Sequence, residues 1–210
     1  MKLLQIIAAV SAGLPCIFLG IRLILVWKDP LRYEQGRWVR LGVGILVMEF
    51  IVVHSGVMMA GFLQDKKDMA SVVPAVGLMV LFYGIFAVAF SIAFKSRGLL
   101  ISFGSIIVGR VIAFTIGQSA SIPIVMAQSI ISIVLYLGAV AVSIIGLPRL
   151  GITEPVARDL MKGSGGGLWI EQPHRAIGAA AFYFIALGLA EMLFLSWFDV
   201  RMLAKVFTPG

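Results

Sequence analysis

Charge is what this sequence has least of: Asp, Glu, Lys and Arg make up 13% of its 210 residues while 60% are hydrophobic. A soluble domain carries about a quarter charged residues, so an ordinary water-soluble globule is excluded. Cysteine is nearly absent; Cys16 alone permits no intramolecular disulfide and gives no redox compartment. Histidine occurs only as His54 and His174, and neither H-E-x-x-H nor Glu-x-x-His is present, so no metal centre and no cofactor is predicted. No repeat of 20 to 50 residues can be found, and no inverted repeat of three helices against three. There is also no polar stretch long enough for a separate basic domain. The net charge of +7 is spread over connections between apolar runs, as topology determinants are, and nucleic acid is not expected as a partner.

What the sequence does have is long apolar runs. Six of them, at 3–27, 41–63, 71–94, 99–117, 121–146 and 176–198, come close to the roughly 20 residues a membrane-crossing helix needs. None alternates as a barrel strand does, and backbone groups in lipid must be satisfied within the segment, so the runs are predicted to be helices. The expected fold is an all-α integral membrane protein: a single transmembrane domain, 1–210, bundling six transmembrane helices. The first run starts after Met1-Lys2 like a secretory leader, but it exceeds the usual apolar length and ends in charge, which predicts a retained helix.

The basic residues predict an orientation. Lys28, Arg32, Arg37, Arg40, Lys95, Arg97, Arg149, Arg158, Lys162 and Arg175 fall on one side; Lys2, Lys66, Lys67, Arg201 and Lys205 fall on the other. The first side is therefore cytoplasmic and both termini non-cytoplasmic, in a bacterial inner membrane. Trp27, Trp38, Trp169 and Trp197 all stand at predicted helix ends, as an interfacial aromatic belt requires.

The only long connection runs from 147 to 175. Thr153-Glu154-Pro155 reads as a helix start with a side-chain cap, and Val156, Leu160 and Met161 give the short helix an apolar side suited to the membrane surface. KGSGGGLW, 162–169, lacks the order of a phosphate loop and is read as a flexible linker. Gln172, Pro173, His174 and Arg175 are read as an interfacial turn.

Against this background the intramembrane polar residues are the candidates for function, because an ionisable side chain at bilayer depth costs roughly 2.5 to 3.5 kcal/mol. Counting about 1.5 Å per residue from the cytoplasmic ends puts Glu49 roughly 12 Å deep, Tyr136 about 15 Å, Arg110 and Tyr83 about 17 Å, His54 roughly 20 Å and Glu191 roughly 23 Å. Arg22, at only about 8 Å, is expected to snorkel to the surface. A cofactor bridge between His54 and His174 would span on the order of 20 Å and is not expected. Glu49 and His54 stand roughly 140° apart around one helix and cannot share a partner. Glu49 lies on the stripe with Gly42, Gly56 and Ala60, where another helix can approach closely, and Arg110 is its expected partner. His54 is expected to meet Glu191 as a proton-handling pair.

These residues predict a small permease or channel, proton-linked through a site of His54, Glu191, Glu49, Arg110, Tyr83 and Tyr136. The alternatives are a structural or assembly subunit of a larger membrane complex and an intramembrane enzyme acting on a lipid or quinone; no nucleophile supports the enzyme. The expected partners are the bilayer, a small solute or proton, and further copies or subunits.

Overall fold

The computed structural model describes residues 2–63, 69–94, 100 and 122–197. Among these residues there are seven helices and no strand. Five are long: α1 (Lys2–Lys28), α2 (Arg37–Leu63), α3 (Met69–Ala93), α4 (Ile122–Ile145) and α7 (Pro173–Trp197). Two are short and lie in the long connection: α5 (Glu154–Leu160) and α6 (Leu168–Glu171). The apolar run at 99–117 lies, apart from Leu100, outside the described residues. Val76–Ala93 and Pro173–Leu193 are the two described segments long and apolar enough to cross a membrane, and Ser129–Ile145 is a shorter apolar helix.

The bundle is built around α7, which packs on α1, α2 and α4. Its inner face carries small side chains, Ala176, Ala179, Ala180 and Ala181, all buried, and these let its neighbours come near. The closest neighbour is α1, which runs antiparallel to α7 and forms the most extensive helix pair. A Cβ on Gly13 would strike the carbonyl oxygen of Gly188, and one on Gly188 would stand 2.6 Å from the carbonyl oxygen of Gly13. At Gly20 it would come 2.9 Å from the Ala181 carbonyl oxygen. Only glycine allows two backbones this close, which in an apolar medium maximises dispersion contact. α2 lies across this pair, with Val39, Val43, Leu46 and Val53 buried, and α3 and α4 pack on its other side.

The connections on the basic side are fastened to the bundle and to one another. Before α2 the chain turns through Glu34, Gln35 and Gly36, all at positive φ. Glycine is needed at the third, because a Cβ on Gly36 would collide with the Leu160 side chain of α5. Arg40 reaches from α2 to the end of α5, donating from Nη2 to the carbonyl oxygens of Leu160 at 2.7 Å and Lys162 at 3.3 Å. The Leu160 carbonyl ends α5 and that of Lys162 follows just beyond it, so one guanidinium closes the helix. Arg175 does the same for α4 through Ser143 at 3.4 Å and Ile144 at 3.0 Å. Trp27 donates to the Pro148 carbonyl at 3.0 Å, and Trp169 to the Ser143 hydroxyl at 3.1 Å.

Three local expectations are modified. The Thr153 backbone is extended as an N-cap should be, but its hydroxyl makes no capping bond, and Pro155 in the first turn accounts for the helix start. The apolar side of α5 turns inward rather than to the membrane surface: Ala157 and Met161 are buried and Leu160 packs on Gly36. Pro173, His174 and Arg175 form the first turn of α7 rather than a separate turn before it, and His174 is buried there. Arg22 bends its guanidinium over the rings of Tyr33 at 4.2 Å and Trp38 at 4.9 Å, an attraction for the ring faces that holds the cation near the basic side.

The Arg40 clamp leads to a prediction. Arg40→Ala removes charge-assisted bonds of about 1.5 to 3 kcal/mol, and trypsin should cut after Lys162 at least roughly tenfold faster in the folded protein. Unchanged cleavage kinetics would show that the clamp does not hold this connection.

Candidate functional site

Glu49 sits halfway along α2 on the face that also carries Gly42. A Cβ on Gly42 would meet the side chains of Ile177 in α7 and Leu23 in α1, so this face is the one pressed into the α1–α7 pair. Glu49 is 9% exposed there, and the fully buried Tyr183 of α7 donates its hydroxyl to Glu49 Oε1 at 2.6 Å. So short a bond is what an acidic oxygen and a phenol form when water is excluded. Tyr136 of α4 stands edge-on to Tyr183, with ring centroids 5.8 Å apart, and donates to the Leu46 carbonyl oxygen one turn before Glu49 at 3.2 Å. The Cys16 thiol of α1 lies within electrostatic reach of both Glu49 and Glu191. Three helices thus contribute to one buried polar centre, Glu49, Tyr136 and Tyr183, while Cys16 on α1 and Glu191 on α7 are half-buried.

His54 belongs to a different surface. Its Nδ1 donates to the Phe50 carbonyl oxygen at 2.6 Å, one turn back in the same helix, and its ring leans on Phe50 with centroids 4.3 Å apart. Because a carbonyl can only accept, Nδ1 carries a proton. His54 lines a groove between α2, α3 and α4 with a volume of about 660 Å³. The walls are Phe50, Phe82, Phe86, Phe90 and other apolar side chains, with Tyr83 and Tyr136 as the phenols. Tyr83 is spent on Met58, donating its hydroxyl to Sδ at 2.9 Å. A second cavity of about 500 Å³ lies between the same helices and the glycine-rich segment 164–167.

The six residues singled out from the sequence therefore divide. Glu49 and Tyr136 meet in the buried centre, and Glu191 stands half-buried farther along α7. His54 and Tyr83 line the apolar groove. Arg110 lies outside the described residues. The Glu49 partner seen here is Tyr183, which reading the sequence for charges does not find. Residue counting does offer a signal: Tyr183 is seven residues into the last apolar run, roughly 10 Å deep, against roughly 12 Å for Glu49. Among the described residues no three of His, Cys, Asp or Glu converge as a metal site would require.

The ion pairs on the basic side are exposed: Arg37–Glu34 at 3.6 Å, and Arg149–Glu154 and Arg158–Glu154 at 3.3 Å each. Pairs of this kind contribute about 0 to 1 kcal/mol, so they shape the surface more than they hold the fold.

The chain matches no family model, no curated protein and no solved structure. Its function has to be argued from the buried centre and the groove.

Proposed function

We propose that this chain is an integral membrane protein of six spans, with both termini non-cytoplasmic in a bacterial inner membrane, and that it is a small proton-linked permease or channel. The membrane part is supported by α3. Its segment Val76–Ala93 is among the most apolar in the chain yet only 17% buried, and Leu78, Leu81, Ile85 and Ile92 all point outward. The core helix of a soluble protein hides such residues, whereas a bilayer solvates them.

The observation that carries the transport reading is the 2.6 Å bond from Tyr183 to Glu49 in the interior. It joins α2 to the α1–α7 pair, the tightest unit in the bundle. As a carboxylate, Glu49 can only accept from Tyr183; once it takes up a proton, one of its oxygens becomes a donor and the bonding between the two bodies changes. The groups that interact with it from the packed elements include Cys16 on α1, Tyr136 on α4 and Tyr183 on α7. A buried carboxyl that joins two packing units is a means of coupling proton uptake to helix rearrangement.

The test is proton flux into liposomes containing the protein and a trapped pH indicator. Wild type should dissipate a pH gradient faster than empty vesicles, and Glu49→Gln should slow this at least roughly tenfold, as expected for an essential proton group. Vesicles that stay as tight as empty ones, or flux that survives Glu49→Gln and the pair His54→Phe with Glu191→Gln, would remove the transport reading.

The outward apolar face of α3 also favours a second reading, an assembly subunit whose partner covers that face. Stoichiometric partners retained in mild detergent would support it. A homogeneous homo-oligomer would count against it.

A further inference from the structure

The two cavities are one groove. They share Val47, Phe90, Val140 and Trp169, so the space under the glycine-rich segment continues past Trp169 into the aromatic trough that ends at His54 and Met58. The two ends differ in chemistry. At the basic side the walls include Ser164 and the backbone of Gly165, Gly166 and Gly167, and a Cβ on any of these three glycines would meet nothing within 4 Å. Beyond Trp169 the lining is apolar except for His54 and the two phenols.

From Val43 to Met58 along α2 the groove covers 15 residues, or about 22 Å at about 1.5 Å per residue. Half of a hydrocarbon core is about 15 Å, so the trough is long enough for a tail that reaches past the midplane. A polar, roomy mouth at the interface followed by a long aromatic trough, open along its side, matches one kind of molecule in shape and polarity. We propose that this groove is a binding site for a long-tailed membrane lipid, which enters laterally from the bilayer with its head at Ser164–Gly167 and its tail between α2, α3 and α4.

The glycine-rich segment then has a role that a linker reading leaves out: side chains there would narrow the mouth. Trp169, pinned by its bond to Ser143, marks the point where head gives way to tail. Its indole is suited to that boundary, being apolar in body with one polar edge. Gly167 at present donates to Glu171 Oε1 at 3.4 Å, a long bond that a headgroup oxygen can replace. The site rests on the membrane reading; its tests read lipid and not proton flux, and Tyr136 lines both the groove and the Glu49 centre.

The experiment is native mass spectrometry of the full chain, extracted in mild detergent and mixed with a defined bilayer lipid extract. Extraction that requires detergent reports the membrane reading separately. The expected spectrum shows one equivalent of lipid, whose mass distinguishes an acyl from an isoprenoid tail. Val140→Trp, filling the trough, should lower lipid retention at least roughly tenfold. Gly166→Trp, filling the exposed mouth without backbone strain, should do the same and carries little risk to folding. Val134→Trp, on the outward side of α4 where Val134 is 62% exposed, should retain lipid as wild type does. A detergent-requiring protein with no lipid, equal loss in the Val134 control, or a groove filled by a second copy seen as a dimer would each overturn the proposal.

Discussion

Gly13→Val and Gly188→Val should each prevent a stable bundle, lowering the melting temperature in detergent by roughly 5 to 10 °C or more. The reason is geometric. Most overpacked sites relax by moving a side chain, at a cost of about 1 to 3 kcal/mol, but here the atoms in the way include backbone carbonyls: that of Gly188 for the first variant and that of Gly13 for the second. Relief comes only by separating α1 from α7, which also loosens the contacts around Gly20 and Glu49. The controls are Gly77→Ala and Gly84→Ala in α3, where a Cβ meets nothing within 4 Å. These should be neutral or stabilising, because glycine within a helix costs about 0.5 to 1 kcal/mol relative to alanine. If Gly13→Val melts with the wild type, the two helices are not in this register.

Breaking the Tyr183–Glu49 bond should have the next largest effect, and the pattern among variants matters more than any single value. Tyr183→Phe removes the donor from a carboxyl that is 9% exposed, and Glu49→Leu removes the acceptor from a hydroxyl on a fully buried residue. Each single change leaves a polar group in the core short of a partner, at a cost of about 1 to 3 kcal/mol. The double variant removes both groups, so the second change should cost much less than it does alone. The expected coupling in a thermal-melt double-mutant cycle is about 1.5 to 3 kcal/mol, as for a hydrogen bond to an ionised or strongly polar group. Glu49→Gln keeps an acceptor and should lose less than Glu49→Leu. Simple additivity of the two single variants would mean that the bond contributes nothing to the bundle.

Much of the helical architecture can be read from the sequence because a single physical demand dominates it. Apolar runs of 23 to 26 residues have few alternatives, and α1, α2, α3, α4 and α7 form on five of the six runs. The pairing of the helices is harder to read. Gly13 and Gly20 are seven residues apart and lie on one face, but this spacing occurs among other glycines, and nothing local tells that Gly188 is its counterpart. For Glu49, depth is informative: the phenol of Tyr183, flanked by Phe182 and Phe184 in a stretch that reads as plain core, meets it at a similar depth, while the expected partner Arg110 lies outside the described residues. His54 and Glu191 illustrate a limit, since residue counting gives depth but not direction around the bundle: His54 lines the apolar groove, and Glu191 stands half-buried on α7.

The pairing of α1 with α7 also bears on how the protein is made. Helices that meet early in synthesis can settle early, but the surface that receives Gly13 reaches the ribosome exit only after every other described long helix has been translated. Until then the glycine face of α1 and the carboxyl of Glu49 are without Gly188 and Tyr183, the contacts that cover them in the finished bundle. A nascent chain stalled before α7 would leave the Glu49 carboxyl without the phenol that it meets in the finished bundle. The first described helix thus reaches its final packing only when the last described one has been made.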